Sequence, residues 1–347
     1  MNFVHLHPRR LRLGYVAVAD AAPVVMAREL DLFRSHGLDV ELSREVGWAT
    51  IRDKVVYGEL DAAQAPGGLL ADANLGIGSA RGECLTALVL NLNGNAITLS
   101  ERLWREGVRD GSTLARHLGK SQHPLTLGVV HRFASHHILL RKWLGEHQIT
   151  GAARVRIISL PPKQAVRNLK AGHLDGFCVG EPWGSLAICE EMGWCAATSA
   201  DISPRHPEKV LMVRKQFAIE FPEAHSKLIA ALLEACRFCS EPSNQAHVAE
   251  VLARPEHVGA PAHMLGAGFS PSFHYGHGIH RGNTPLHVFH GNGVNEPTQQ
   301  HGQWFLKGLR TTDVLPPQST PPSADARDWF RADLYRTAKA TANTANP

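Results

Sequence analysis

The sequence lacks the short motifs that mark the common classes of enzyme and metal protein. It contains no GxSxG elbow, no phosphate-binding P-loop and no GxGxxG that opens a helix. The six cysteines lie in apolar or helical segments, and the tight pair Cys236 and Cys239 has no second pair nearby to complete a zinc site. We therefore expect reduced core cysteines, no metal, no cofactor and no catalytic activity.

Long hydrophobic runs and clustered charge are also missing. No apolar stretch approaches the roughly 20 residues that span a bilayer, so no membrane span is expected. Met1–Arg10 has neither the apolar core nor the cleavage site of a secretory signal, which predicts a cytoplasmic protein, or a periplasmic one if a leader has been removed. The net charge is only +4 and the Lys and Arg residues are scattered, so direct nucleic-acid binding is not expected.

What the sequence does contain is an internal repeat with an offset of 114 positions. Leu11–Val16 (LRLGYV) matches Leu125–Val130 (LTLGVV), and Gly58–Ala62 (GELDA) matches Gly172–Gly176 (GHLDG). Each copy has the pattern strand, helix, strand, helix, strand, which is typical of a small α/β unit with a parallel sheet. Two such lobes predict a ligand cleft between them.

The repeat also assigns a role to its two matched aspartates. Asp61 and Asp175 occupy equivalent places in the two copies, each at a helix-to-strand turn. They therefore cannot face one substrate as a catalytic pair, and we expect them to be structural.

The remaining segments predict a discontinuous arrangement of lobes. Lobe I comprises residues 11–95 and 205–310, and lobe II comprises 96–204, so the chain crosses twice, near Ala96 and Ser203, at a hinge. Residues 311–347 form a linker (Pro316–Pro322), a helix and a frayed tail from Ala338. The histidine-rich segment His257–His301 lacks a metal-binding motif, so we expect a long loop that wraps the first lobe rather than a metal site.

Hydrogen-bond donors gather at the predicted carboxyl ends of the strands, where α/β proteins bind ligands. Asn95 ends a buried strand, His136 lies at the start of a helix whose free N–H groups attract anions, and Lys209 follows the second crossing. Donors dominate there, with one fixed cation, which suits a small, flat, weakly basic anion. The alternatives are a surface or capping role for His136 and a core role for Trp48.

Several longer segments resemble one known family. They are Gly47–Gln64, Leu88–Ser100, Phe133–Leu144, Leu160–Trp183 and His206–Arg214. In these segments the chain resembles the nitrate- and bicarbonate-binding proteins of bacterial ABC importers and their soluble relatives that sense nitrate and nitrite. The resemblance implies the two-lobed α/β fold of type II periplasmic binding proteins, with a ligand cleft between the lobes.

The resemblance also implies a set of nitrate or nitrite ligands. Trp48 would wall the anion, and the other contacts would come from Asn95, His136, Pro162 and Lys209. Bicarbonate-binding relatives carry an acid where this chain has Lys209 and use a metal ion, so Lys209 favours nitrate or nitrite without a metal. Further residues are expected just behind these ligands: Gln64, Glu181 and Lys163, the last of which replaces a proline of the family.

Three functions remain open at this point. The first is a cytoplasmic nitrate/nitrite sensor that controls an RNA-binding antitermination regulator of nitrate assimilation genes, with ligand-driven closure of the cleft altering the surface offered to that partner. The second is a substrate-binding component or regulatory domain of a nitrate ABC importer. The third is an enzyme such as a thiamine-precursor synthase, which shares the fold but would need a lysine motif for pyridoxal phosphate that the sequence does not show.

Overall fold

The computed structural model describes residues 10–344 except 78, 152, 283–284 and 316–325. The N-terminal residues Met1–Arg9, on which the expectation about a leader depends, and the predicted linker Pro316–Pro322 lie outside these ranges.

The strands of the described residues follow in chain order: β1 Leu11–Val16, β2 Val40–Glu45, β3 Ala62–Pro66, β4 Cys84–Asn93, β5 Asn95–Ser100, β6 Leu125–Val129, β7 Val155–Ser159, β8 Gly176–Gly180, β9 Gly193–Thr198, β10 Pro207–Arg214, β11 Phe273–Gly276, β12 Ile279–Arg281 and β13 His287–Val288.

The helices are α1 Ala22–Glu29, α2 Leu32–Ser35, α3 Trp48–Val56, α4 Leu69–Leu75, α5 Glu101–Arg105, α6 Gly111–Lys120, α7 Ser135–Glu146, α8 Pro162–Lys170, α9 Trp183–Cys189, α10 Ser199–Ile202, α11 Lys215–Glu220, α12 Pro222–Ser240, α13 Gln245–Ala253, α14 Ala262–Ala267, α15 Gln299–Thr311, α16 Ala326–Trp329 and α17 Ala332–Thr344. Single 3-10 turns occur at Ala19–Ala21 and Pro242–Asn244.

Two separate sheets form the two α/β lobes. The first sheet has the order β13-β4-β10-β3-β1-β2, and the second has the order β7-β6-β8-β5-β9. In the first sheet β1 pairs in parallel with β2 and β3, and in the second β6 pairs in parallel with β7 and β8. Each sheet then receives an antiparallel strand beside its third strand, β10 in the first and β5 in the second. The two lobes therefore share one plan.

The glycines of the repeat explain why it is visible in the sequence. A Cβ on Gly14 would lie 2.5 Å from the Leu60 side chain, and a Cβ on Gly128 would lie 3.1 Å from the Leu174 side chain. Both leucines immediately precede the matched aspartates of the repeat. The same strand-to-turn packing is therefore built twice, and each copy needs a residue without a side chain in the middle of its first strand.

The matched aspartates have the structural role that the sequence predicts. Asp61 accepts a hydrogen bond from the backbone N–H of Arg12 at 2.9 Å, and Asp175 accepts one from the backbone N–H of Thr126 at 2.7 Å. Each carboxylate thereby fixes the start of the first strand of its lobe to the turn before the third strand.

The first passage between the sheets is a single residue long. β4 of the first sheet ends at Asn93 and β5 of the second sheet begins at Asn95, with Gly94 between them. Gly94 has φ +107°, and a Cβ there would lie 2.6 Å from the His287 ring. The second passage runs from β9 through α10 to β10. Both passages adjoin the residues of the cleft.

The histidine-rich segment does not form a loop on the first lobe alone, so that prediction needs correction. β13 does join the first sheet beside β4. The hairpin of β11 and β12 instead packs on the second lobe, because Phe273 and Tyr275 share an apolar cluster with Ile188 and Cys195. The segment therefore contacts both lobes.

The predicted frayed tail from Ala338 is also wrong as far as the structure describes it. α17 continues to Thr344, and residues 345–347 lie outside the described ranges. Tyr335 and Ala338 are buried in the core of the first lobe, so apolar packing holds this last helix.

Candidate functional site

The candidate site centres on the ammonium group of Lys209, which is completely buried where the lobes meet. Its Nζ atom lies 2.8 Å from Asp20 Oδ2 and 2.6 Å from Glu208 Oε1. The neighbours Glu208 and Lys209 would point to opposite faces of a regular strand. The pairing of β10 with β4 shifts register at this point, and both side chains reach the same spot.

Glu208 connects this ammonium to the second lobe. Its Oε2 atom accepts hydrogen bonds from Asn95 Nδ2 at 2.6 Å and from Ser135 Oγ. Asn95 is the first residue of β5 and Ser135 is the first residue of α7. One buried carboxylate of the first lobe is thus held by two neutral donors of the second.

Two histidines flank Glu208. His136 Nε2 lies 3.9 Å from Glu208 Oε1, and His206 Nδ1 lies 3.6 Å from Glu208 Oε2. Burial lowers the pKa of His136 to about 3 and also lowers the pKa of His206, although Glu208 opposes both shifts. At neutral pH both rings are therefore uncharged and add no positive charge to the site.

Asp20 approaches the ammonium from the turn after β1. Gln64 Nε2 donates to Asp20 Oδ1 at 2.5 Å, while Gln64 Oε1 accepts from the backbone N–H of Val16 at 3.2 Å. Burial raises the pKa of Asp20 to about 6, with Glu208 adding to the rise and Lys209 opposing it. The predicted supporting residue Gln64 therefore positions Asp20.

The site carries more negative charge than the sequence led us to expect. Burial alone would raise the pKa of Glu208, but the Lys209 ammonium beside it holds that pKa at about 2. Burial lowers the pKa of Lys209, yet the carboxylates of Asp20 and Glu208 raise it above its usual value. Near neutral pH the site contains one ammonium and two carboxylates. The expectation that donors dominate around a single cation is corrected because two acidic residues converge on Lys209.

Unpaired polar atoms remain around this charged group. The Trp48 ring centre lies 5.2 Å from Lys209 Nζ, close enough for a cation–π contact. Among the described residues, Trp48 Nε1, His136 Nδ1 and Asn95 Oδ1 are buried without a hydrogen-bond partner. A buried unpaired polar group is costly, which favours a ligand that supplies the missing partners.

The structure thus brings five of the predicted residues into one neighbourhood: Trp48, Gln64, Asn95, His136 and Lys209. The contacts described above do not extend to the other three. Pro162 is buried at the start of α8, and Lys163 beside it is exposed to solvent. The Glu181 carboxylate turns toward α9 and accepts from the backbone N–H of Ser185 at 3.0 Å.

Glu181 nevertheless contributes its backbone to the junction. Its carbonyl accepts from the N–H of Ala19 in the first lobe, and its own N–H donates to the carbonyl of Gly94 at the first passage. Burial raises the pKa of the Glu181 side chain to about 7.

Sequence reasoning missed Asp20, Ser135 and Glu208. Asp20 follows β1 in the same way that the predicted ligands follow their strands, so the strand-end rule that selected those ligands applies to it too. Ser135 and Glu208 adjoin the selected residues His136 and Lys209. Their proximity to the ammonium depends on the register shift in β10 and on the meeting of the two lobes, and neither is visible in the sequence.

In the part of the chain that the structure describes, no group of three or more His, Cys, Asp or Glu side chains is arranged to hold a metal ion. Across the same residues, no helix has both the length and the apolar content that crossing a membrane requires.

Comparison with known proteins gives relatives of the kind that the sequence resembles. The chain is 36% identical over 303 residues to the nitrate import ATP-binding protein NrtC of Synechocystis, covering 86% of this chain and 45% of that protein. It is 37% identical over 311 residues to the bicarbonate transport ATP-binding protein CmpC of Synechococcus elongatus, covering 88% and 46%. The chain therefore spans about half the length of these relatives.

A solved structure confirms the predicted fold. The crystal structure of the periplasmic nitrate-binding protein NrtA from Synechocystis superposes with a TM-score of 0.88 at 25% identity, covering 96% of this chain and 88% of that one. The chain thus has the two-lobed fold of periplasmic binding proteins, and the resemblance to nitrate- and bicarbonate-binding proteins is confirmed. A sequence model of the NMT1-like family matches residues 5–253, and the chain belongs to that family.

Proposed function

We propose that this chain binds nitrate or nitrite between its lobes and serves as a substrate-binding component or regulatory domain of a nitrate importer. The observation that carries the proposal is the fully buried Lys209 ammonium, near which Trp48 Nε1, a donor, and His136 Nδ1, a donor in one tautomer, are buried without partners. The ammonium and the indole N–H suit the oxygens of a small anion. The relatives named for nitrate and the NrtA structure support the same ligand.

These contacts supply much of the free energy of a useful affinity. A hydrogen bond to a charged group contributes about 1.5–3 kcal/mol, and a neutral one contributes about 1 kcal/mol. One contact from Lys209 with three neutral donors therefore supplies about 4.5–6 kcal/mol, compared with the ~8 kcal/mol of a site with a Kd of about 1 μM.

Binding must also overcome the acidic residues that already pair with Lys209. A monovalent anion that enters beside two carboxylates and one ammonium meets a net negative site. Protonation of Asp20, whose pKa is about 6, removes one of these negative charges. We therefore expect nitrate to replace Asp20 as a partner of Lys209 and to bind best when Asp20 is neutral.

Access to the ammonium requires motion of the lobes. Lys209, Glu208, Asp20 and Asn95 are all fully buried, so an anion reaches them only when the lobes separate. The short passage at Gly94 and the passage through α10 would act as the hinge. We propose the same lobe boundaries that the sequence predicts, at 95/96 and 204/205, with residues 311–347 as a C-terminal region outside both lobes.

The sensor role has less support than the transport role. The relatives named above are import and transport proteins, and none is named as a partner of an RNA-binding antitermination regulator. A periplasmic location accords with the likeness to NrtA, itself a periplasmic protein, whereas the cytoplasmic location and the regulator stay predictions from the sequence resemblance. Neighbouring genes for importer subunits, rather than for such a regulator, would favour the transport role.

Calorimetric titration with nitrate, nitrite, bicarbonate and sulfate tests the ligand. We expect nitrate or nitrite to bind in the micromolar range, and bicarbonate and sulfate to bind at least about tenfold more weakly. Sulfate carries a second negative charge into an already acidic site, and the sequence resemblance at Lys209 is to the nitrate-binding rather than the bicarbonate-binding relatives. Stronger binding of bicarbonate than of nitrate or nitrite would contradict the proposal.

Variants of Lys209 test the site. Lys209→Glu is expected to abolish nitrate binding, but it also adds a third buried carboxylate and so endangers the fold. The double variant Asp20→Asn with Lys209→Gln removes one charge of each sign and leaves the net charge of the cluster unchanged. This double variant should show a cooperative thermal unfolding transition, as a folded protein does, and it should not bind nitrate. Undiminished nitrate binding by this folded double variant would refute the role of the ammonium.

A further inference from the structure

A second site lies on the other side of α7 from the residues around the buried ammonium, which we call the Lys209 cluster (Asp20, Asn95, His136, Glu208 and Lys209). It is a cavity of about 510 Å³ lined by the end of β6, by β7, by α7 and by the residues that follow α15. Three arginines line it, Arg132, Arg141 and Arg156, together with His137 and Asp313. His136 and His137 are consecutive residues of α7, and one faces Glu208 while the other faces this cavity.

The three arginines share the cavity without acidic partners. All three are exposed, and among the described residues none has a carboxylate oxygen within 4.0 Å, Asp313 included. Some arginines elsewhere in the described residues do have acidic partners, as Arg102 has in Glu106 and Asp175. Three guanidinium groups around one concave surface repel one another unless an anion lies between them.

His137 adds an uncharged group to the same wall. It is buried, and its Nδ1 donates to the backbone carbonyl of Arg132 at 3.1 Å, which leaves Nε2 as an acceptor. Burial and the charges of Arg141 and Arg132 together lower the pKa of His137 to about 4, although the hydrogen bond to the Arg132 carbonyl opposes the shift. The wall therefore offers charged planar donors and the neutral acceptor of His137, beside the carboxylate of Asp313, and such a mixture suits an oxyanion carrying a hydroxyl group.

We propose that this cavity, the arginine pocket, binds a small polyanion with at least two negative charges on phosphate or carboxylate groups. Guanidinium forks bind both kinds of group through paired hydrogen bonds, and Arg is preferred over Lys where such recognition is required. The volume lies in the range of sites for small metabolites. The assignment is independent of nitrate binding, since it uses none of the residues of the Lys209 cluster.

Calorimetry at low and moderate salt tests the pocket, with pyrophosphate and citrate as probes and nitrate as the monovalent comparison. We expect at least one polyanion to bind more tightly than about 1 mM at low salt and to weaken as salt increases. Binding of pyrophosphate alone would assign a phosphate ligand, and binding of citrate alone a polycarboxylate. Nitrate at about ten times its own Kd fills most of the other site. Its presence should change the Kd of the polyanion less than about twofold.

Variants that each remove one positive charge test whether the polyanion binds in the arginine pocket. Arg141→Gln and Arg156→Gln should each weaken polyanion binding at least about tenfold, because each removes a charged fork. Arg116→Gln, at an exposed position on α6 of the same lobe, removes an equal charge away from the cavity and should change the affinity less than about twofold. The proposal is overturned if neither probe binds, or if the three variants weaken binding equally. It is also overturned if an RNA or an acidic protein binds the pocket and both small probes fail.

Discussion

Replacing Asp20 with asparagine isolates the effect of one buried charge on anion binding. Asp20 pairs with Lys209 at 2.8 Å, and its side chain has nearly the same shape as that of asparagine. The substitution removes the carboxylate that competes with nitrate for the ammonium, while Gln64 can still donate to the remaining carbonyl oxygen. We expect Asp20→Asn to bind nitrate more tightly than the wild type above pH 6.

The pKa of Asp20 sets the size of this effect. With a pKa of about 6, Asp20 is neutral in about one molecule in eleven at pH 7 and in about one in a hundred at pH 8. If only the neutral form binds, the apparent Kd increases about tenfold between these pH values. The ceiling on the gain from Asp20→Asn is therefore about a hundredfold at pH 8. We expect the affinity to increase at least about tenfold but less than the full hundredfold, because the amide N–H of the new asparagine and the ammonium are both donors and do not pair with each other.

Other groups in the cluster do not reproduce this pH dependence. The pKa of His136 is about 3 and that of Glu208 is about 2, so neither changes charge between pH 5 and 8. Burial also lowers the pKa of His287 to about 4, outside the same interval. Glu181, with a pKa of about 7, also titrates in this interval, so Glu181→Gln serves as the matched control.

The assay is calorimetric titration of nitrate at pH 5.5, 7 and 8. The wild type and Glu181→Gln should lose affinity steeply above pH 6, and Asp20→Asn should show a nearly constant Kd. Weaker binding by Asp20→Asn at pH 8, or an unchanged pH slope in that variant, would refute the competition between Asp20 and the anion.

Two further predictions concern stability. Glu181 has a folded pKa of about 7 against an ordinary value of 4.5, so the folded state loses stability as the pH increases through 7. Glu181→Gln should therefore raise the free energy of unfolding by about 3 kcal/mol at pH 8 and by almost nothing at pH 4.5, measured in urea; equal gains at both pH values would contradict this. Gly14→Ala should lower the free energy of unfolding by about 1–3 kcal/mol, since the new Cβ lies 2.5 Å from Leu60. Adding Leu60→Val should restore part of that loss. The control Gly119→Ala, which has open space around the new Cβ, should be neutral or slightly stabilising. Equal stabilities of the two glycine variants would refute the packing argument.

Local patterns predicted most of the elements around the cleft. The pattern of apolar residues predicts helices over Thr50–Tyr57, Ser135–Leu144 and Pro222–Cys239, where α3, α7 and α12 occur, and strands where β4, β8 and β10 occur. Apolar residues at helical spacing over residues 21–36 predict a single helix, but the structure divides this stretch into α1 and α2 at Asp31, which has φ +54°. The hairpin of β11 and β12 was missed because its short strands lie among glycines and histidines, whose pattern is typical of a loop.

The sequence by itself determined that the chain has two similar α/β lobes, because each copy repeats the same glycine and aspartate contacts within a short stretch of chain. It also predicted that Asn95, His136 and Lys209 lie near the junctions between the lobes, where the structure has the start of β5, the start of α7 and the start of β10 beside one another. Only the tertiary structure decided the charge of the site. Asp20 reaches Lys209 from the turn after β1, and a register shift in β10 brings Glu208 to the same ammonium. Burial then sets how readily each group is charged, because desolvation depends on everything packed around it.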